Sequence, residues 1–159
     1  MRVNDWQVLA HPALLDQLVK LIAAVADAQT NDPDTYRSNP NTKVLAALTK
    51  LMFTDIPSDP SRSEYRQGDT LGKQHKHWFR AKFGNGRFRL FFRYSEKHKI
   101  IIFAWVNDEN SLRTYGARTD AYAVFKKRLK DDNPPDGWDD LFKDSAPLTG
   151  VIAQIADEA

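Results

Sequence analysis

Five cations, Arg80, Lys82, Arg87, Arg89 and Arg93, fall between His77 and Tyr94 with no acid among them. Widening the window to residues 70–95 adds Lys73 and Lys76, which makes seven basic residues, and two histidines, His75 and His77, still without an Asp or Glu. Guanidinium and ammonium groups gathered this way attract anions, and arginine's planar fork suits phosphate oxygens best. The chain as a whole carries a net charge of only +2. The field is therefore local, as a directed anion site requires. The bland alternative is a solvated basic face.

The spacing decides how these groups are displayed. Asn85-Gly86 is a two-residue hairpin signal, because a type I′ turn needs positive φ at both central positions. Placing the turn there pairs Phe83 with Phe88, Lys82 with Arg89, Ala81 with Leu90, Arg80 with Phe91, Phe79 with Phe92 and Trp78 with Arg93. Strand alternation then puts Phe79, Ala81, Phe83, Phe88, Leu90 and Phe92 on a core face. Trp78, Arg80, Lys82, Arg87, Arg89, Phe91 and Arg93 share the other. Lys82 opposite Arg89 is a like-charge pair, which destabilises a sheet unless an anion lies between them. Cations interleaved with Trp78 and Phe91 suit phosphates and stacked bases, which favours RNA. The alternative is that the two aromatics lie under a partner.

Other groups in or near this stretch bear on whether the anion is only held or also cut. His75 and His77 are two apart, and imidazole suits proton transfer near neutral pH. Such a pair also suggests a metal, but no acid nearby in sequence completes a ligand set, so no metal is expected. Arg113 and Tyr115 follow the third strand-like run in the segment NDENSLRTYGARTDAY (107–122). A core or capping role is the alternative for Tyr115.

The elements that position these residues can be read from periodicity. Val3–Ala10 reads as a short edge strand. Pro12–Gln29 and Thr42–Phe53 carry apolar residues at helical spacing and suggest a helical hairpin. Trp78–Phe83, Arg87–Tyr94 and Lys99–Val106 read as strands. The last is apolar on both faces and belongs at the centre. Thr119–Lys130 reads as a helix whose Lys126, Lys127, Arg128 and Lys130 form its wet face, and Trp138–Phe142 as a helical turn. The expected fold class is α+β, a small antiparallel sheet with its helices on one face. Residues 1–144 form the expected domain, and 145–159 a loose or partner-dependent tail. The absence of cysteine removes disulfides and thiol chemistry and fits a reducing cytoplasm. No apolar run approaches the length of a membrane span, and the N-terminus has no signal-peptide core.

The strings WFRAKFGNGRFRLFFRYSE (78–96) and IIIFAWVNDENSLRTYG (100–116) resemble the YhaV-type toxins of the RelE superfamily, the toxin halves of bacterial toxin–antitoxin pairs. The resemblance runs from about Trp6 to Trp138. It implies a RelE-like fold and an endonuclease that cuts mRNA at the ribosome without a cofactor. It also implies a PrlF-like antitoxin partner, and operator DNA bound only as the toxin–antitoxin complex. Arg80-Ala81-Lys82 matches the family's K-x-K motif with one lysine replaced by arginine, and Arg89 aligns with the arginine of its G-Y-R segment, with Arg87 as an extra residue. Arg113 and Tyr115 are the candidates for its later arginine and tyrosine. In the implied reaction the ribose 2′-OH attacks the adjacent phosphorus. Arg89 and Arg113 then stabilise the non-bridging oxygens with Arg87 assisting, Lys82 or His75 takes the 2′ proton, and Tyr115 acts as acid or stacks on a base. Lys73, Lys76, Trp78, Arg80, Phe91 and Arg93 are expected to bind RNA. Two other classes remain open at this point, namely a non-catalytic nucleic-acid-binding module in autoregulation and a protein-interaction domain that docks an acidic partner.

Overall fold

Strand β5 (Ile100–Val106) is buried at every position, and a strand apolar on both faces needs cover on both. That requirement shapes the molecule. A computed structural model describes residues 1–108, 111 and 117–148. The sheet runs β1-β2-β5-β4-β3, with β1 at Arg2–Val3, β2 at Trp6–Ala10, β3 at Phe79–Phe83 and β4 at Phe88–Ser95, and β6 (Ala146–Pro147) also pairs with β2. The sheet is mixed, because β2 lies parallel to β5 while β3, β4 and β5 are antiparallel neighbours. The expectation of a purely antiparallel sheet is corrected by this pairing. β2 is also no edge strand, since β5 flanks one side and β1 and β6 the other.

Helix α1 (Pro12–Asn31) and helix α2 (Pro40–Lys50) cover one face. α2 runs on through a π-helical turn, Leu51–Asp55, into a last turn at Ile56–Ser58. Leu14, Leu18, Leu48 and Met52 pack there on Ala81, Leu90, Phe92, Ile101 and Phe103. Helices α3 (Ala121–Lys130) and α4 (Trp138–Asp144) cover the opposite face. Tyr122, Phe125, Leu129 and Leu141 pack there on Trp78, Phe91, Ile102 and Trp105. Helices therefore flank both faces, not one. A bulge helps: Phe91 pairs with Trp105 but Phe92 with Phe103, so Ala104 and Trp105 both turn toward α3. No helix among the described residues is long and apolar enough to cross a membrane.

The hairpin register is the one expected, from Phe79 opposite Phe92 to Phe83 opposite Phe88. Asn85 at φ 58° and Gly86 at φ 81° supply the turn. Of the anticipated tail, Ala146 pairs opposite Ala10 and Leu148 is fully buried. The rest of the anticipated tail, 149–159, lies outside the described residues, as do Arg113 and Tyr115.

The α1 N-terminus ties stability to pH. His11 is buried, and its Nδ1 accepts the Ala13 N–H at 3.1 Å, ahead of Pro12 in the first turn. Burial lowers the His11 pKa, and the carboxylate of Asp144 only partly offsets this. The folded state thus holds its proton less tightly than the unfolded chain. Stability is complete above about pH 6.5, the ordinary histidine value, and is lost as pH falls toward the folded pKa. The melting midpoint of His11→Asn, which keeps a capping acceptor, should fall less than that of the wild type between pH 7.5 and 5. Parallel melting curves would remove His11 as the cause.

Candidate active site

Arg80 and Arg89 leave neighbouring strands on the same sheet face and converge under the first turn of α3. Arg80 Nε donates to Tyr122 Oη at 2.8 Å, and Arg89 Nε donates to the same oxygen at 3.2 Å. The side chains are held elsewhere too, Arg80 by the Glu64 carbonyl at 2.7 Å and Arg89 by the Gly86 carbonyl. Both residues are nearly buried, at 9% and 6% exposure. Among the described residues no carboxylate forms an ion pair with either. Two buried like charges sharing one neutral acceptor are a costly arrangement, and each guanidinium has five N–H donors. Donors therefore remain on both groups for the oxygens of an anion.

Local sequence explains the convergence. Asp120 caps α3 by accepting the Tyr122 N–H at 3.0 Å, which fixes Tyr122 in the first turn above the strands. Asn107, buried after β5, accepts the Arg89 N–H at 2.6 Å and donates to the Arg87 carbonyl at 2.9 Å, which sets the start of β4. Tyr122→Phe keeps the ring and removes the shared acceptor. It should cost about 1–3 kcal/mol through the two unsatisfied donors, read by urea unfolding. An unchanged midpoint would mean the guanidinium groups re-pair elsewhere.

Arg80 and exposed Lys82 also line a groove with Arg62, Ser63 and Arg66 and with two acids, Asp55 and Glu64, of which Glu64 lies 3.7 Å from Arg62. Lys82 lies opposite Arg89 as expected, but their charges separate because Lys82 points to solvent and Arg89 turns under α3. Arg87 is exposed beside the turn, with its Nε on the Gly84 carbonyl at 3.1 Å. Lys73 is exposed, and exposed Lys76 pairs with Asp69 at 3.2 Å.

The aromatics tell a different story from the one expected. Trp78 and Phe91 are fully buried. Phe91 stacks on Phe125 at 4.1 Å, and Trp78 meets Phe125 edge-on at 5.0 Å. Neither offers a face to a base, so their assignment as RNA-stacking residues is corrected: α3 covers them because the strands are apolar on both sides. Arg93 is likewise engaged within the protein. Its guanidinium lies between Trp78 and Trp138, 5.6 and 5.4 Å from the ring centres, and donates to the Asp136 carbonyl at 2.5 Å. Burial lowers its pKa, which the nearby Asp136 charge counters in part.

His75 does not join the arginines. Its Nδ1 lies 2.8 Å from Asp136 Oδ1, and His77 Nε2 lies 2.9 Å from the same oxygen. Trp78 Nε1 donates to it as well, at 2.9 Å. Burial alone would raise the Asp136 pKa, but the hydrogen bonds from Trp78, His75 and His77 outweigh it and hold the carboxyl below its ordinary value. This cluster sits at the Trp78 end of the hairpin, four residues from Lys82, or roughly 13 Å at the rise of a strand. The expectation that no acid completes the histidine pair is corrected, because Asp136 arrives from the segment before α4.

Comparison with known proteins bears on this geometry. Residues 8–146 match the family model of YhaV toxins, described as a toxin with endonuclease activity, of a toxin–antitoxin system. The chain belongs to the YhaV toxin family. It is 47% identical over 145 residues to the Ribonuclease toxin YhaV of Escherichia coli strain K12, covering 91% of this chain and 94% of that one. The Toxin YhaV of Escherichia coli O157:H7 matches over the same shares at 47% identity. No solved structure matches the chain.

Within this YhaV-family fold, four contributors were not anticipated as site residues: Tyr122, Arg62, Arg66 and Asp136. Tyr122 reads as a core aromatic on a helix, and its only signal is the Asp120 cap that places it in the first turn. Arg62 and Arg66 sit in an irregular segment without periodicity. Asp136 follows Pro134-Pro135 and is far from the histidines in sequence.

Proposed function

We propose that the chain is an endoribonuclease toxin that cuts messenger RNA at the ribosome by 2′-OH attack, with the scissile phosphate at the Arg80–Arg89 pair. The observation that carries this reading is the convergence of two nearly buried guanidinium groups on Tyr122 Oη with no carboxylate paired to them among the described residues. Family membership and the ribonuclease named at 47% identity support the chemistry. The groove with Arg62, Arg66 and Lys82 offers room for the flanking backbone. A PrlF-like antitoxin neutralises the toxin by covering this cationic face, and operator DNA is bound only by the complex. Messages and ribosomes place the action in the cytoplasm.

In the reaction the 2′-oxygen bonds to phosphorus while the bond from phosphorus to the 5′-oxygen breaks. The products are a 2′,3′-cyclic phosphate, which water opens to a 3′-phosphate, and a 5′-hydroxyl end. Arg80 and Arg89 stabilise the charge gathering on the non-bridging oxygens, with Arg87 assisting from the turn. Lys82, exposed beside them, takes the 2′ proton as the free amine, and Tyr115, in the acid role the resemblance implies, gives a proton to the leaving 5′-oxygen. Tyr122 is a positioning residue that holds the two guanidinium groups together. Arg113 and Tyr115 keep the roles the family resemblance implies for them. His75 stands apart and has no part in this scheme. Because RNA supplies its own nucleophile, the scheme needs no metal.

The test is purified protein with a defined RNA, with and without EDTA. New 5′-hydroxyl ends, formed equally well with chelator, support the proposal. Salt-sensitive binding of intact RNA would make the protein a binding module, and cleavage abolished by chelator while the chain stays folded by circular dichroism would overturn the scheme.

A further inference from the structure

The cluster at the Trp78 end of the hairpin is left unused by the proposed reaction, and its donor set is specific. His75 Nδ1, His77 Nε2 and Asp136 Oδ1 all lie within 4.8 Å of one another. Two ring nitrogens, from residues two apart, aim at one carboxylate oxygen 2.8 and 2.9 Å away. We propose that these three side chains form a binding site for a borderline-soft divalent cation, with zinc as the best fit. Two imidazoles and one carboxylate are the ligands such ions prefer, whereas magnesium and calcium favour oxygen. Three protein ligands with a water in the fourth position is the common open zinc site. The side chains are 14%, 36% and 36% exposed, so an ion and that water can reach them.

The surroundings hold the donors in place, as partners behind metal ligands do. Trp78 Nε1 anchors the carboxylate, and Arg93 clamps the Asp136 main chain. Gln67 Nε2 donates to the His75 carbonyl at 2.9 Å and fixes the segment before β3. The Arg93 charge opposes a cation, but its guanidinium contacts the carbonyl of Asp136, not its carboxylate, and lies between two indoles. Binding would exchange two N–H···O bonds for two nitrogen–metal bonds. It would tie the segment before β3 to the one before α4, two stretches that no strand pairing joins. The site stands whether or not the proposed reaction does, because its test reads binding and not cleavage.

The full chain, stripped with chelator and dialysed, is titrated with zinc chloride by calorimetry and with cobalt(II) by visible absorption. The expected result is one ion per chain, the absorption of low-coordinate cobalt, and a melting midpoint higher by about 5–10 °C at a hundredfold excess over Kd. His77→Gln should weaken binding at least tenfold, and Asp136→Asn, which keeps an acceptor for Trp78, should do the same. If Asp136→Asn fails to fold, the half-exposed His77 variant decides. No stoichiometric binding would overturn the proposal and leave a purely hydrogen-bonded cluster. So would zinc binding unchanged in His77→Gln, or magnesium binding as tightly as zinc.

Discussion

Arg89→Ala should lower single-turnover RNA cleavage by about 10²- to 10³-fold, the usual loss when one fixed donor to a developing anion is removed. Its guanidinium is already oriented by Tyr122 Oη and the Gly86 carbonyl, so no reorganisation is needed when charge appears on phosphate. The fold should survive. The Arg89 N–H bond to Asn107 is made by the main chain and remains. β4 is pinned by Leu90 and Phe92 on one face and Phe91 on the other, and removing one buried cation relieves its neighbour Arg80. Arg89→Lys should recover only part of the rate, because an ammonium lacks the fork that can bond Tyr122 and phosphate together. Mapping of 5′ ends in induced cells should show wild-type cut sites disappear with Arg89→Ala. Full cleavage by the alanine variant would move the reacting phosphate away from this arginine pair.

Local rules made most of the hairpin legible. Asn85-Gly86 demands one turn, and that turn fixes every pair from Phe79–Phe92 to Phe83–Phe88. The cationic face follows from alternation, and the centrality of β5 from an apolar run that does not alternate. What covers the cationic face is a non-local matter. A face holding Trp78, Phe91 and Trp105 reads equally well as a stacking surface or as an interior, and only the path of the chain after β5 brings Phe125 onto it. Parallel pairing of β2 with β5 is similarly invisible, since nothing in VNDWQVLA specifies the direction of a strand some ninety residues on. Tyr122 and Asp136 share that limit. Each meets its partners across 33 to 61 residues of sequence; the helical periodicity at Tyr122 and the Pro-Pro-Asp-Gly turn at Asp136 place each residue locally but say nothing of those partners.

Phe91→Ala separates the two meanings of that aromatic face. Phe91 is fully buried, stacked on Phe125 and lying 6.0 Å from Trp105 and 5.6 Å from Tyr122 between ring centres. Truncating such a ring should cost about 3–5 kcal/mol, the transfer loss plus a cavity that the rigid sheet cannot close. For a chain of this size that lowers the melting midpoint by about 6–20 °C, read by thermal or urea unfolding. A base-stacking residue would behave in the opposite way, with about 1–3 kcal/mol lost from RNA binding and little from stability. A stability cost under about 1 kcal/mol, with RNA binding lost instead, would mean that α3 lifts from the sheet in solution and presents Phe91 to RNA.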